Sequence, residues 1–205
     1  MTRRYQAIIF DLGGVLVNWD PRHLYGRFFN NDEAAMGRFL TEIDFHSWNL
    51  EQDRGRSFAD GVAELSAQFP QYADLIHAYD LHWEDSITGQ IDGTVELLQA
   101  LKAAGYTVGL LSNISTEKYE VLRRKYRFFD HFDSQLISAD VKLLKPDPRI
   151  YALLLEQIKQ AAEDCIFIDD SAVNVAGADR VGLNAIQFQS PHQLKRELQQ
   201  RGVLS

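Results

Sequence analysis

The sequence predicts an α/β fold: a doubly wound, Rossmann-like parallel sheet with an all-helical segment inserted after its first strand. Three observations point there. Five short apolar runs rich in β-branched residues recur along the chain, continuous rather than alternating, as in strands covered on both faces. Amphipathic helical stretches separate most of them. One interval, 18–90, breaks the alternation with helical patterns and no convincing strand.

The elements follow in order. AIIF (7–10) is the first strand, and it stops at Asp11 and two glycines. The interval after it holds helical stretches at Pro21–Phe29, Asp32–Leu40, Ser57–Phe69 and Ala73–Trp83, with Asp32 and Ser57 as caps and Pro70 ending one segment. A helix over Thr94–Ala104 closes at Gly105, and TVGLL (107–111) is the next strand. A helix over Glu117–Tyr126, the strand QLI (135–137) and a helix over Pro148–Gln160 after an Asp-Pro pair continue the pattern. CIFI (165–168), a helix over Ser171–Val181 and NAIQF (184–188) complete it. The expected division is an α/β core of residues 1–17 and 91–205 with a helical cap of residues 18–90. Its borders are the polar, turn-rich stretches 18–21 and 86–93.

The bulk properties limit the partners. The net charge is −8 and no Lys/Arg-rich block stands out, so nucleic acid and anionic membrane surfaces are not expected partners. A negatively charged substrate would need a few placed cations. The single cysteine, Cys165, allows no intrachain disulfide, and the chain reads as cytoplasmic. MTRRY and the short apolar stretch behind it lack the length of a signal peptide, and no later run could span a bilayer.

In open α/β sheets ligands bind beyond the carboxyl ends of the strands. The first strand delivers Asp11 there, then Gly13 and Gly14; the second core strand delivers Ser112 and Asn113. CIFI delivers Asp169 and Asp170, with Asn174 a helical turn later, and Lys145 precedes the helix that starts near Asp147. Each residue alone has an ordinary reading as a cap, a turn or a solvated charge. Together they fit phosphoryl transfer through an aspartate. Asp11 is an anionic nucleophile that needs no base at neutral pH. Its attack on a phosphoester dianion calls for a divalent cation, and Asp11 and Asp170 supply hard oxygen ligands suited to Mg2+. Lys145, the Ser112 hydroxyl and backbone N–H groups around Asn113 would hold the phosphoryl oxygens. The glycines let the backbone approach the phosphate closely.

With these motifs the chain resembles the haloacid dehalogenase (HAD) superfamily, phosphatase-like branch with a helical cap. FDLGGVLV is similar to its first motif through Asp11, LLSN to its second through Ser112 and Asn113, KPDPRIY to its third through Lys145, and FIDDSAVN to its acidic fourth through Asp170. The pair FDLGGVLV and DDSAVN is similar to a bacterial subgroup that includes a sugar-1-phosphate phosphatase. The resemblance implies a Mg2+-dependent phosphomonoester hydrolase that forms an aspartyl-phosphate on a small phosphorylated metabolite, a sugar phosphate among the candidates.

Two positions depart from the family pattern. The first motif usually reads Asp-x-Asp, its second acid protonating the leaving oxygen and then activating water; here that position is Gly13. The family's metal contact there is a backbone carbonyl, which glycine keeps. The missing acid/base is worth about 10²–10⁴ in rate. It implies substrates with good leaving groups, a proton supplied from the cap (Asp20, His23 and His46 are candidates), or a slow phosphate-binding regulatory protein. Asn174 stands where the family often has a second acid, with Asp169 as a compensating outer acceptor. Within the cap, Trp48 and Arg54 of WNLEQDRG are the expected specificity residues. The competing enzyme reading is a metal-independent 2-haloacid dehalogenase, against which the Asp169-Asp170 pair argues.

Overall fold

A computed structural model of the chain describes residues 4–204; residues 1–3 and 205, the expected ends of the core, lie outside it. β1 (Ala7–Phe10) is buried on both faces and is the middle strand of a five-stranded sheet. Two faces explain its unbroken apolar run. Ile8 and Phe10 enter one hydrophobic cluster, and Ala7 and Ile9 the other.

After β1 the chain leaves the sheet. β2 (Val17–Trp19) leads into α1 (Pro21–Tyr25), α2 (Glu33–Glu42), α3 (Phe45–Asp53), α4 (Phe58–Gln68) and α5 (Ala73–Leu81), and returns through β3 (Ile87–Gln90). Asp32 and Ser57 cap α2 and α4 through their side chains, as expected. α1 is shorter than the expected Pro21–Phe29, because the chain turns from Gly26 and passes through left-handed conformations at Asn30 and Asn31. The all-helical expectation also needs correction. β2 and β3 form an antiparallel ribbon at the root of the insert. VNW and ITGQ are too short and too polar to read as strands, since a two-stranded ribbon need bury only one side. α3 fills a stretch to which the sequence pattern assigned no helix.

The core then alternates. α6 (Asp92–Ala103), β4 (Thr107–Ser112), α7 (Thr116–Lys125), β5 (Ser134–Ile137) and the short α8 (Ser138–Val141) come first. α9 (Pro148–Ile158), β6 (Cys165–Asp169), α10 (Ala172–Arg180), β7 (Asn184–Gln187) and α11 (Pro191–Gln200) follow. The sheet order is β5-β4-β1-β6-β7, with every pairing parallel. Leu98 and Leu101 of α6 and Leu122 of α7 pack on the face that carries Ile8; Ile150 and Leu154 of α9 and Ala178 of α10 pack on the other. The connections therefore diverge between β1 and β6, the crevice in which such sheets bind ligands. Among the described residues no helix is long and apolar enough to cross a membrane.

Candidate active site

Asp11 follows directly on β1 and Asp169 ends β6, so the two carboxylates face each other across the diverging crevice. Lys145 lies between them. Its ammonium is 2.7 Å from Asp11 Oδ1 and 2.6 Å from Asp169 Oδ2, and it donates to the Leu111 carbonyl at 3.0 Å. All three of its N–H donors are thereby used. A phosphoryl oxygen reaching Lys145 would take the place of one of these partners.

The loop that carries Lys145 is held by Asn113. The Asn113 amide accepts from the Lys145 backbone N–H at 2.9 Å and donates to the Lys145 carbonyl at 3.1 Å. Asp169 is engaged throughout: Oδ1 accepts from the Ser171 N–H at 2.9 Å, and the Asn174 amide donates to both its oxygens at 3.1 and 3.2 Å. An amide at 174 thus suits a donor to Asp169. Ser112, at the end of β4, is buried beside Asn113 on the wall of the adjoining cavity.

The electrostatics follow from two acids sharing one buried cation. Burial works against the Lys145 ammonium, but the charges of Asp11 and Asp169 outweigh it and hold the group above its ordinary value. Burial pushes the Asp11 carboxyl up, against the pull of Lys145 and with Asp169 adding to the rise. Asp170 is also raised, by the protein packed around it and by the neighbouring Asp169 charge.

Asp11, Asp169 and Asp170 offer oxygens within 4.8 Å of one another. Asp169 is taken up by Lys145, Ser171 and Asn174, which leaves Asp11 and Asp170 as the acids to hold a cation, a hard donor set that fits Mg2+. The two glycines divide their tasks. Gly14 has φ +72°, and a Cβ there would lie 2.3 Å from Asp170 Oδ2, so a side chain at 14 would displace that acid. A Cβ on Gly13 would meet nothing within 4 Å. Position 13 is open space.

That space adjoins a cavity of about 90 Å³ between the core and the insert. Its wall is mainly apolar, with Trp19, Phe58, Tyr79, Trp83, Ile87 and Leu122 contributing. Lys118 on the wall is paired with Asp80 at 2.5 Å. The one carboxylate on the wall is Asp53, the last residue of α3. It is 8 % exposed, accepts from the Asn49 amide at 3.0 Å and from the Ser115 backbone N–H, and burial pushes it up to about 7.

Asp53 lies beside the two residues expected from the sequence, Trp48 and Arg54. Trp48 is buried inside the insert, its indole N–H donating to the Gly61 carbonyl at 2.9 Å and its ring against Phe45, Phe58 and Tyr79. Arg54 is half exposed and sits 3.6 Å from Glu51. Neither lines the cavity. Nor do the three proton candidates: Asp20 caps α1, His23 contacts the Ser86 carbonyl at 3.1 Å, and His46 lines a separate surface groove. One signal pointed to Asp53. It is an acid at a helix carboxyl end, where the helix dipole opposes negative charge, so the position costs stability locally.

Comparison with known proteins gives concordant results. Residues 5–182 match the family described as a haloacid dehalogenase-like hydrolase. The chain is similar to a sesquiterpene phosphatase of Aspergillus oryzae, 29% identical over 89% of each chain. It is also similar to a phosphorylated carbohydrates phosphatase of Thermotoga maritima, 26% identical over 88% of this chain and 83% of that one. A HAD family enzyme of Bacteroides thetaiotaomicron, solved as a magnesium complex, shares the fold with a TM-score of 0.74 at 23% identity, over 92% of this chain and 95% of that one. Solved dehalogenases share the fold as well.

Proposed function

The chain belongs to the haloacid dehalogenase-like hydrolases, and from that premise we propose that it hydrolyses a small phosphomonoester with Asp11 as nucleophile. The observation that carries this reading is Asp11 at the sheet's divergence, held by Lys145 and clustered with Asp169 and Asp170, while Leu12 and Gly13, the next residues of the chain, line an apolar cavity. Asp11, Asp170 and the Gly13 carbonyl would hold Mg2+; when bound, the ion supplies positive charge that favours ionised Asp11 and offsets phosphate repulsion. Lys145 and Asn113 fix the nucleophile's rotamer, and Ser112 with the backbone N–H groups that follow it receives the phosphoryl oxygens. Residues 18–90 act as the cap that closes over the organic part of the substrate.

The cavity wall bears on that organic part. A sugar presents hydroxyls at most of its carbons, and each buried hydroxyl needs a partner. Apart from Ser112 and Asp53, the wall's polar side chains are largely committed: the Asn49 amide to Asp53 and Tyr79, the Asn113 amide to the Lys145 backbone, and Lys118 to Asp80. The wall therefore favours a phosphate ester with a short apolar chain or ring over the sugar phosphate that the motif likeness implies. A haloacid fits less well, because its carboxylate needs a cation and the wall offers only the paired Lys118.

The test is turnover of alkyl, aryl and sugar phosphates, and of a 2-haloacid, with Mg2+, against Asp11→Asn and against a chelator. Phosphate release that Asp11→Asn and the chelator both abolish is expected, with alkyl or aryl esters ahead of sugar phosphates. Wild type indistinguishable from Asp11→Asn on every ester would overturn the phosphatase reading, and halide release that survives chelation would favour the dehalogenase.

A further inference from the structure

We propose that Asp53 moves the proton in both halves of the reaction, in place of the acid absent at position 13; this rests on the phosphatase reading above. Position 13 and Asp53 belong to the wall of one cavity, together with Ser112 and Asn113. The volume that a side chain at 13 would fill is empty. Among the described residues Asp53 is the one carboxylate on that wall, delivered from the insert by the last turn of α3.

Its position is built rather than incidental. The Ser138 hydroxyl donates to the Asp53 backbone carbonyl at 2.6 Å, tying the end of α3 to the core. Asn49, one helical turn earlier, directs its amide at Oδ2 and sets the orientation of the carboxyl group. Two residues on, Gly55 has φ +108°, and a Cβ there would lie 2.9 Å from the Ala139 carbonyl oxygen, so the backbone behind Asp53 is packed directly on α8. The groups that bear on the carboxyl are few. Lys145 pulls it down; Tyr79 is a buried phenol held well above its ordinary value; Lys118 on the same wall is neutralised by Asp80. Burial outweighs the rest and keeps Asp53 protonated to near neutrality, as a donor to a leaving oxygen requires.

The chemistry balances. Asp11 attacks phosphorus, the P–O bond to the organic group breaks, and its electron pair stays on the leaving oxygen, which takes the Asp53 proton and departs as an alcohol. The Asp53 carboxylate then takes a proton from water as the water oxygen attacks phosphorus. The bond from phosphorus to Asp11 breaks, inorganic phosphate leaves, and both acids return to their starting states.

Asp53→Asn keeps the shape and removes the proton, and a series of phosphate esters of falling leaving-group quality reads the difference. The expected loss in kcat/KM is about 10²–10⁴ on alkyl and phenyl phosphates and under about tenfold on 4-nitrophenyl phosphate. On the latter ester, Asp53→Asn should accumulate phosphorylated Asp11, detected after acid quench, because only water activation is then slowed. Adding Gly13→Asp to Asp53→Asn should restore much of the lost rate on phenyl phosphate, which a merely structural role for Asp53 would not allow. Should Asp53→Asn disturb the far-UV circular dichroism, Asp53→Ser carries the same comparison. An equal loss on every ester, or no loss, overturns the assignment alone. Wild type no faster than Asp11→Asn overturns the phosphatase reading and the assignment with it.

Discussion

Asp53 carries a cost that can be measured without any substrate. Its carboxyl sits near 7 in the folded chain against an ordinary value of 3.8. Between those values the folded state holds a proton that the unfolded state has released, so stability falls as pH rises through that window and levels off above it. The difference between the two values corresponds to roughly 4 kcal/mol. An amide in place of the carboxyl would mimic its protonated form at every pH. Urea unfolding should therefore show Asp53→Asn gaining on wild type by up to about 4 kcal/mol between pH 4 and pH 8. A constant difference across that range would mean that Asp53 is ionised throughout. At the same scale, Gly13 and Gly14 look alike in the sequence and differ in the fold. Gly14 is required by its φ and by Asp170, while nothing in its surroundings requires glycine at 13.

At the scale of elements, the end of α3 depends on Gly55. Replacing it with alanine strains a backbone at φ +108° and pushes a methyl group against the Ala139 carbonyl. Gly55→Ala should cost at least about 1–2 kcal/mol in urea unfolding and lower kcat by shifting Asp53, with the sheet's own stability otherwise unchanged. The elements also show what a sequence reveals. The inner core strands were legible because burial on both faces leaves a continuous apolar run, as in AIIF and CIFI. The strand-end residues were legible for the same reason, since each abrupt stop marks the sheet's carboxyl edge. β2 and β3 were not, because a short ribbon has no such run. α3 escaped because it buries Gln52 and Asp53 beside Phe45 and Trp48, so its buried face is not apolar. α11 escaped because its apolar stripe is two leucines, Leu194 and Leu198, in an otherwise polar stretch.

At the scale of the whole molecule, insert and core are fastened around the cavity by contacts that include Lys118 to Asp80 at 2.5 Å, Ser138 to the Asp53 carbonyl at 2.6 Å, and the Phe58 N–H to Glu117 at 3.2 Å. The acid cluster lies beneath, so an ion bound there should stabilise the folded chain as a unit. Magnesium at a hundredfold excess over its Kd should add about 2.7 kcal/mol, read as a rise in Tm, and Asp170→Asn should largely remove that rise. An unchanged Tm in wild type would argue against a metal site. The Asn113 side chain adds a consequence for how such a molecule moves. Its amide offers Lys145 one donor and one acceptor, the same pair that a neighbouring peptide unit offers across a ladder. The lysine's loop is in effect one more rung on the sheet, laid by a side chain instead of a strand. Any displacement of the insert would therefore leave the Lys145 charge beside Asp11, fixed to the sheet.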